Sequence, residues 1–480
     1  MRRENNLSNG ILTVLISNIY ILVLNVLTSF LLPKFLSVDS YAQIKTFQLY
    51  IGYAGLLHLG YVDGMYVRNG GKELRKLNKK DLSSSISTLR TTQLIISFAL
   101  LIVSLFRKDA VFLAFALAVL PINMTAYFQH LFSAVGEFSK YGLLIKATTI
   151  ATFIANISLL FLFRSDRSSL YFAAYVLIDY IIWFILEISM HRTCRLEWGL
   201  RSFRFSELKE NIRNGILLTL GNLSSDLFTG MDRWFVKILL STADFAQYSF
   251  AASTEHFINA MMTPVSVTLY NHFCKGIDEK GVKQIRNYVT IFAVFVIAAA
   301  FPAKFIVKNF LGNYSAAVNI IFYLFSAHIF FFPVKCVYIN LYKAHRKQRL
   351  YFIKLLLAIA AGFIFNAGCF AIMHNKEAMA IGTVLSAIFW WILCVLDFRE
   401  ISYKAKDIAF MIIELVAFNI CGAVFSSILG CIVYIAFSLV MAVLLVREDF
   451  FGLIKFGTEM LCRRLGRGNG RIHARRLPPG

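Results

Sequence analysis

Runs of about 20 predominantly apolar residues, the length that crosses a hydrocarbon core of about 30 Å, recur along this whole sequence. They fall near 11–32, 46–66, 86–106, 110–132, 141–163, 169–190, 214–239, 245–270, 287–307, 315–342, 351–373, 378–397, 407–425 and 428–446. Fourteen such runs leave no room for a soluble domain, and the sequence predicts an all-α polytopic membrane protein. A β-barrel would show segments of about ten residues that alternate apolar and polar, and "FLAFALAVLPI" does not alternate. Composition points the same way: 58% of the residues are hydrophobic and 16% charged, which excludes an ordinary soluble enzyme.

The net charge of +22 could suggest nucleic acid, so its distribution decides. With the N-terminus inside, 36 of the 49 Lys and Arg residues fall on the inner side, and the outer ends and loops carry 10. The bias predicts a multi-pass protein of the cytoplasmic membrane with both termini in the cytoplasm, and it makes the basic charge topological. The first apolar run lacks a small-residue cleavage site and reads as a retained helix. None of the eight cysteines lies in an outer loop or in a C-x-x-C pair, so neither a disulfide framework nor a metal site is expected. The tail 447–480 is basic and Gly-rich, reads as disordered, and suits contact with anionic lipid.

The chain reads as doubled. "NGILTVLISNIYILVLNVLTSFLLPKFLSVDSYAQ" begins at Asn9 and "NGILLTLGNLSSDLFTGMDRWFVKILLSTADFAQY" at Asn214. Both open with Asn-Gly-Ile-Leu and both close on Asp, an aromatic, Ala and Gln. At an offset of 204 residues Asn18 falls on Asn222, while Thr28 and Ser29 fall on Asp232 and Arg233. The competing explanation is that such short matches arise from composition. Six helices separate the copies, an even number, so both halves keep one direction across the bilayer and a pseudo-twofold along the membrane normal would relate them. The expected organisation is a six-helix bundle in 1–200, a second in 201–400, two additional helices in 401–446 and the tail.

Charges within the spans need partners or a watery cavity, because each costs about 2.5–3.5 kcal/mol at mid-bilayer. Asn222, Asp226, Thr229 and Arg233 share one face of the 214–239 helix, with Asp226 near mid-depth and Arg233 about 10 Å farther out at 1.5 Å per residue. Asp232 and Arg233 read either as a static clamp or as a gate. Asp226, Glu255 and Asp179 are candidate cation or proton sites, against the alternative of buried pairing with Arg233 or Lys335. Lys335 lies beside Pro333, where helix hydrogen bonding is interrupted. Arg90 is close enough to a helix end to snorkel. Asp63, Arg68 and "NGGKE" read as a turn and cap rather than a phosphate loop, and His58, His328 and Glu187 carry no functional signal.

"FLLPKFLSVDSYAQIKTFQLY", "LGYVDGMYVRNGGKE" and "DRWFVKILLSTADFAQYSFAAS" together resemble the multidrug/oligosaccharidyl-lipid/polysaccharide exporter superfamily, and within it the Wzx-type polysaccharide repeat-unit flippases. The resemblance covers the twelve-helix core. It implies a non-enzymatic transporter that moves an undecaprenyl-diphosphate-linked oligosaccharide across the membrane by alternating access. It further implies an H+ or Na+ gradient as the driving force with no cofactor, and polysaccharide polymerase and glycosyltransferases as functional neighbours. No Gly-x-x-x-x-Gly-Lys-Ser/Thr is present, in keeping with a gradient rather than ATP. A cationic cavity is expected of the family, with Arg233, Lys335, Asn222 and Arg90 as substrate-binding candidates here. The rivals are a drug/cation antiporter of the same superfamily and a membrane-embedded polymerase, the latter disfavoured by uniformly short outer loops.

Overall fold

The structure is a computed structural model that describes residues 22–194, 203–274, 278–345 and 347–458. These residues are helical nearly throughout and include no strand. Ten helical stretches are long and apolar enough to cross a membrane, from Lys79–Arg107 to Ser427–Leu445. They coincide with ten of the fourteen expected spans. Phe98, Leu105, Phe106, Ile372 and Leu444 stand exposed on them, as lipid-facing side chains do.

The four remaining expected spans are the two copies of the repeat. Of the run at 11–32 the structure describes helix α1 (Leu22–Phe35), and 11–21 lie outside the described residues. The run at 46–66, expected as one helix, is α2 (Val38–Ile51), a 3-10 turn (Ala54–His58) and α3 (Tyr61–Asn69). The run at 245–270 is likewise divided, into α9 (Thr242–Thr254) and α10 (His256–Cys274). Only α8 (Phe205–Leu239) is continuous, and it reaches nine residues below the expected start at 214.

Hydropathy finds apolar runs but not backbone breaks, which depend on who satisfies the freed peptide groups. Here α4 (Lys79–Arg107) and α5 (Ala110–Ala134) do so. The buried Gln93 amide donates to the Leu57 carbonyl at 3.0 Å, and the buried Asn123 amide to the Ala54 carbonyl at 3.1 Å. The break also turns Gly60 to φ +89°, a conformation other residues rarely adopt.

The chain forms two compact units. The first comprises Met1–Ala260, Phe310–Ala317 and His374–Met379. Within it α3 packs on the start of α8, where a Cβ on Gly64 would lie 2.0 Å from the Asn211 carbonyl oxygen and one on Gly215 2.0 Å from that of Gly60. Arg68 of α3 bonds Glu207 of α8 at 2.9 Å. Helices α6 (Phe138–Ile157) and α7 (Ser168–Cys194) complete the expected first six.

The second unit comprises Met261–Asn309, Val318–Met373 and Ala380–Gly480. It holds α11 (Glu279–Ile297), α13 (Ala317–Pro333), α17 (Ala405–Val424) and α18 (Ser427–Leu445) among its helices. Its buried charges have structural partners. Arg286 lies 3.7 Å from Asp407 and stacks on Tyr403, and Lys304 donates to the Gly422 and Phe425 carbonyls at the C-terminal end of α17. Glu414 accepts from Ser438 at 2.7 Å, tying α17 to α18.

Candidate functional site

The two copies keep the same local frame. Helix α1 ends at Phe35 and α8 at Leu239, 204 residues later, and N-cap residues Ser37 and Ser241 follow at the same offset. Each cap hydroxyl accepts from an amide three residues on, Ser40 at 3.3 Å and Asp244 at 3.1 Å. The helices thus opened, α2 and α9, stop within one residue of equivalent places, at Ile51 and Thr254.

Between these helices lies a polar cluster inside the first unit. Asp232 is 6% exposed; its carboxylate accepts from the buried Tyr248 hydroxyl at 2.7 Å and from the Arg233 backbone amide at 2.7 Å. The half-buried Arg233 guanidinium contacts the Thr229 carbonyl at 3.4 Å, and its Nε is buried without an acceptor among the described residues. A Cβ on Gly230 would meet the Tyr53 hydroxyl at 3.1 Å and Arg233 Nη2 at 3.2 Å, so the glycine leaves room for both groups. Trp234 stacks on Tyr50 with ring centroids 5.7 Å apart.

Lys45 completes the cluster. It falls one residue outside the expected 46–66 span and so counts, by sequence, among the outer-loop cations. In the structure it is on the second turn of α2, donating to Gln48 Oε1 at 3.0 Å and to Ser253 Oγ of α9 at 2.8 Å. Arg233 is the charged neighbour that acts on it electrostatically. Among the described residues neither cation has a carboxylate within ion-pair distance. Lys45 and Arg233 are within electrostatic reach of each other and keep donors to spare, with the Asp232 carboxylate also in reach of Arg233; such donors can accept an anion.

Of the other sequence candidates Glu255 lies within electrostatic reach of Asp232, and the rest are dispersed. Asn222 is exposed on α8, Glu255 is half-buried at the break after α9, and Asp179 is half-buried on α7. The Asp226 side chain, like that of His256, lies outside the described residues. Arg90 does not snorkel: its guanidinium bonds Glu187 of α7, which is 2% exposed, so a residue without functional signal in the sequence neutralises it. Lys335 belongs to the second unit, in a π turn (Val334–Tyr338) that follows Pro333, with its ammonium 5.1 Å from the Phe331 ring centroid.

The fold is MurJ-like, in keeping with the superfamily that the sequence resembles. In particular, the chain is similar to a structure described as lipid II flippase MurJ in an inward closed conformation. The match has a TM-score of 0.68 and 13% identity, and covers 90% of this chain and 98% of that one. A transporter of the same superfamily from Pyrococcus furiosus matches with a TM-score of 0.48 and 13% identity over 82% of this chain and 96% of its own. A multidrug resistance transporter in an outward-facing conformation matches with a TM-score of 0.45 and 12% identity over 82% and 96%. No protein-family model matches the chain, and no curated protein matches it by sequence.

Proposed function

We propose that the protein is a flippase for an undecaprenyl-diphosphate-linked oligosaccharide, working by alternating access in the cytoplasmic membrane with both termini in the cytoplasm and serving polysaccharide biosynthesis. The observation that carries this reading is the Lys45–Arg233 cation cluster between helices of the two copies. A diphosphate and a glycan cannot enter hydrocarbon unless their hydration is replaced. Lys45, with its Ser253 and Gln48 partners, would meet phosphate oxygens as a point charge, and Arg233 would meet them through its free Nε and fork. Tyr50, Tyr53 and Trp234 beside them suit a sugar face.

In this proposal Asp232, held by Tyr248, keeps Arg233 in place and closes the outer end. Lys335, Asn222 and Arg90 are secondary contacts, Arg90 the weakest because Glu187 already claims it. Asp226, Glu255 and Asp179 remain candidates for coupling to an H+ or Na+ gradient, with no cofactor. The two six-helix halves, 1–200 and 201–400, would rock about this cluster, and a polymerase and glycosyltransferases would act before and after it. A drug/cation antiporter fits the cluster less well, since two adjacent cations repel a cationic substrate.

The test is transport in liposomes. A labelled lipid-linked oligosaccharide should flip under an imposed ion gradient, and Lys45→Ala or Arg233→Ala should each slow flipping by about 10–100-fold, the worth of one charge-assisted contact. Export of a cationic dye without oligosaccharide flipping would overturn the reading.

A further inference from the structure

A second polar cluster in the first unit, at the opposite end of the repeat helices, is not used by the anion site. Asp63 on the first turn of α3 is 4% exposed. One carboxylate oxygen accepts from the Thr219 hydroxyl of α8. The other faces His130 Nε2 of α5 at 4.0 Å. His130 Nδ1 is 2.9 Å from the Ala126 carbonyl, so this nitrogen carries the hydrogen and Nε2 is the free base. His58, 8% exposed in the 3-10 turn, accepts from the Gly60 amide at 3.2 Å through Nδ1, so its neutral form has the hydrogen on Nε2. His58 is within electrostatic reach of both Asp63 and His130.

We propose that His130, Asp63 and His58 form a proton site whose loading stabilises the packed contact between α3 and α8. A proton taken from water binds His130 Nε2, and the imidazolium then donates toward the Asp63 carboxylate. No other bond is made or broken. A carboxylate buried as Asp63 is, with a single neutral donor, is costly, and the imidazolium offsets that cost. The loaded site therefore favours the arrangement that buries Asp63 against Thr219, with Gly64 and Gly215 in contact beneath it. Loss of the proton favours hydration of the carboxylate and separation of the two helices. Acid therefore favours the packed arrangement and base the separated one.

The surrounding charges do not compete. On α3 and α8, Arg68 and Glu207 neutralise each other, and on α4 Arg90 is bonded to Glu187 of α7. The Tyr66 ring of α3 packs edge-on against His130 with centroids 5.8 Å apart, and α4 presents the Gln93 amide to the 3-10 turn. Imidazole donors suit a proton rather than Na+, which takes oxygen ligands, and among the described residues no group of three metal-ligating side chains occurs. That this proton is the driving ion rests on the transport reading above; the site itself does not.

Hydrogen exchange of α3 and the start of α8, followed by mass spectrometry on the full chain in nanodiscs without substrate, tests the site separately from transport. After correction for intrinsic rates, protection of these segments should be about tenfold greater at pH 5.5 than at pH 8. His130→Gln and Asp63→Asn should each remove this dependence, the second while keeping the acceptor for Thr219. NaCl at constant pH should not mimic acid. Retention of the pH dependence in folded His130→Gln, or its reproduction by Na+, would overturn the proposal. Should both variants fail to fold, histidine NMR titration of the wild-type chain decides: an imidazole titrating with the protection midpoint supports the site, and its absence rejects it.

Discussion

Helices α1 and α8 end, and α2 and α9 are capped, at the same repeat positions, and α2 and α9 stop within one residue of each other in the repeat, yet the two copies place their cations differently. Arg233 stands where the first copy has Ser29, and Lys45 stands where the second copy has Ser249. Each copy contributes one cation; Lys45 of α2 bonds Ser253 of α9 and lies within electrostatic reach of Arg233 of α8. The frame is thus shared while the charge is divided. A duplicated scaffold that kept both cations at both positions would hold four like charges in one place, a repulsion that grows as water is excluded. The break after α2 is deep, with a 3-10 turn and a glycine at positive φ, whereas the break after α9 is a single residue at Glu255.

Several measurements would break or sharpen this comparison. The largest effect belongs to the close approach of the copies. Gly64→Leu puts side-chain atoms where the Asn211 backbone already stands, and should destabilise by about 3 kcal/mol, read as a lower Tm in detergent. Gly221→Leu, also inside a helix but with open space around it, makes no such clash; equal losses would show that packing of α3 on α8 is not what holds the copies together. Next is the buried carboxylate that only the second copy carries. Tyr248→Phe removes a hydroxyl donor from Asp232 and should cost about 1–3 kcal/mol, while adding Asp232→Asn should recover part of it. A purely additive pair would argue that the two groups act separately.

The caps offer a symmetric test. Ser37→Ala and Ser241→Ala should each cost about 1 kcal/mol, and unequal losses would show that the shared frame is not equally important in both copies. The smallest effect lies outside the membrane. Asp244 bonds Lys376 at 3.0 Å; burial raises its pKa, but the bonds from Ser241 and Lys376 outweigh it and hold the carboxyl below the usual range. That contribution is present above the ordinary Asp value of about 3.9 and is lost as pH falls through the lower folded value. Lys376→Ala should therefore cost about 0.2–1 kcal/mol at pH 7 and nothing measurable near pH 2.

Much of the site was within reach of the sequence and some was not. Arg233, Asp232 and their polar stripe stand out because charges in apolar runs are costly wherever they occur. Lys45 carried a readable signal as well: the repeat, continued two residues past Gln43 and Gln247, pairs Lys45 with Ser249 and shows a cation gained in the first copy. A span drawn from 46 hides it. The joining of Arg90 to Glu187, and of Asp63 to both Thr219 and His130, has no such signal, since these partners are 97, 156 and 67 residues apart and meet only by helix packing.

By itself the sequence determined that the chain is helical and crosses a membrane many times, because backbone hydrogen bonding in hydrocarbon admits few alternatives for runs this long and apolar. It also determined that one helix pair occurs twice. Only the tertiary structure decided where that pair breaks and which charges meet. A break is tolerated where Gln93 and Asn123 from other helices satisfy its carbonyls, and what a cation can receive depends on which charges pack around it, as Lys45 and Asp232 do around Arg233. Both are properties of neighbours in space, which residue order alone does not specify.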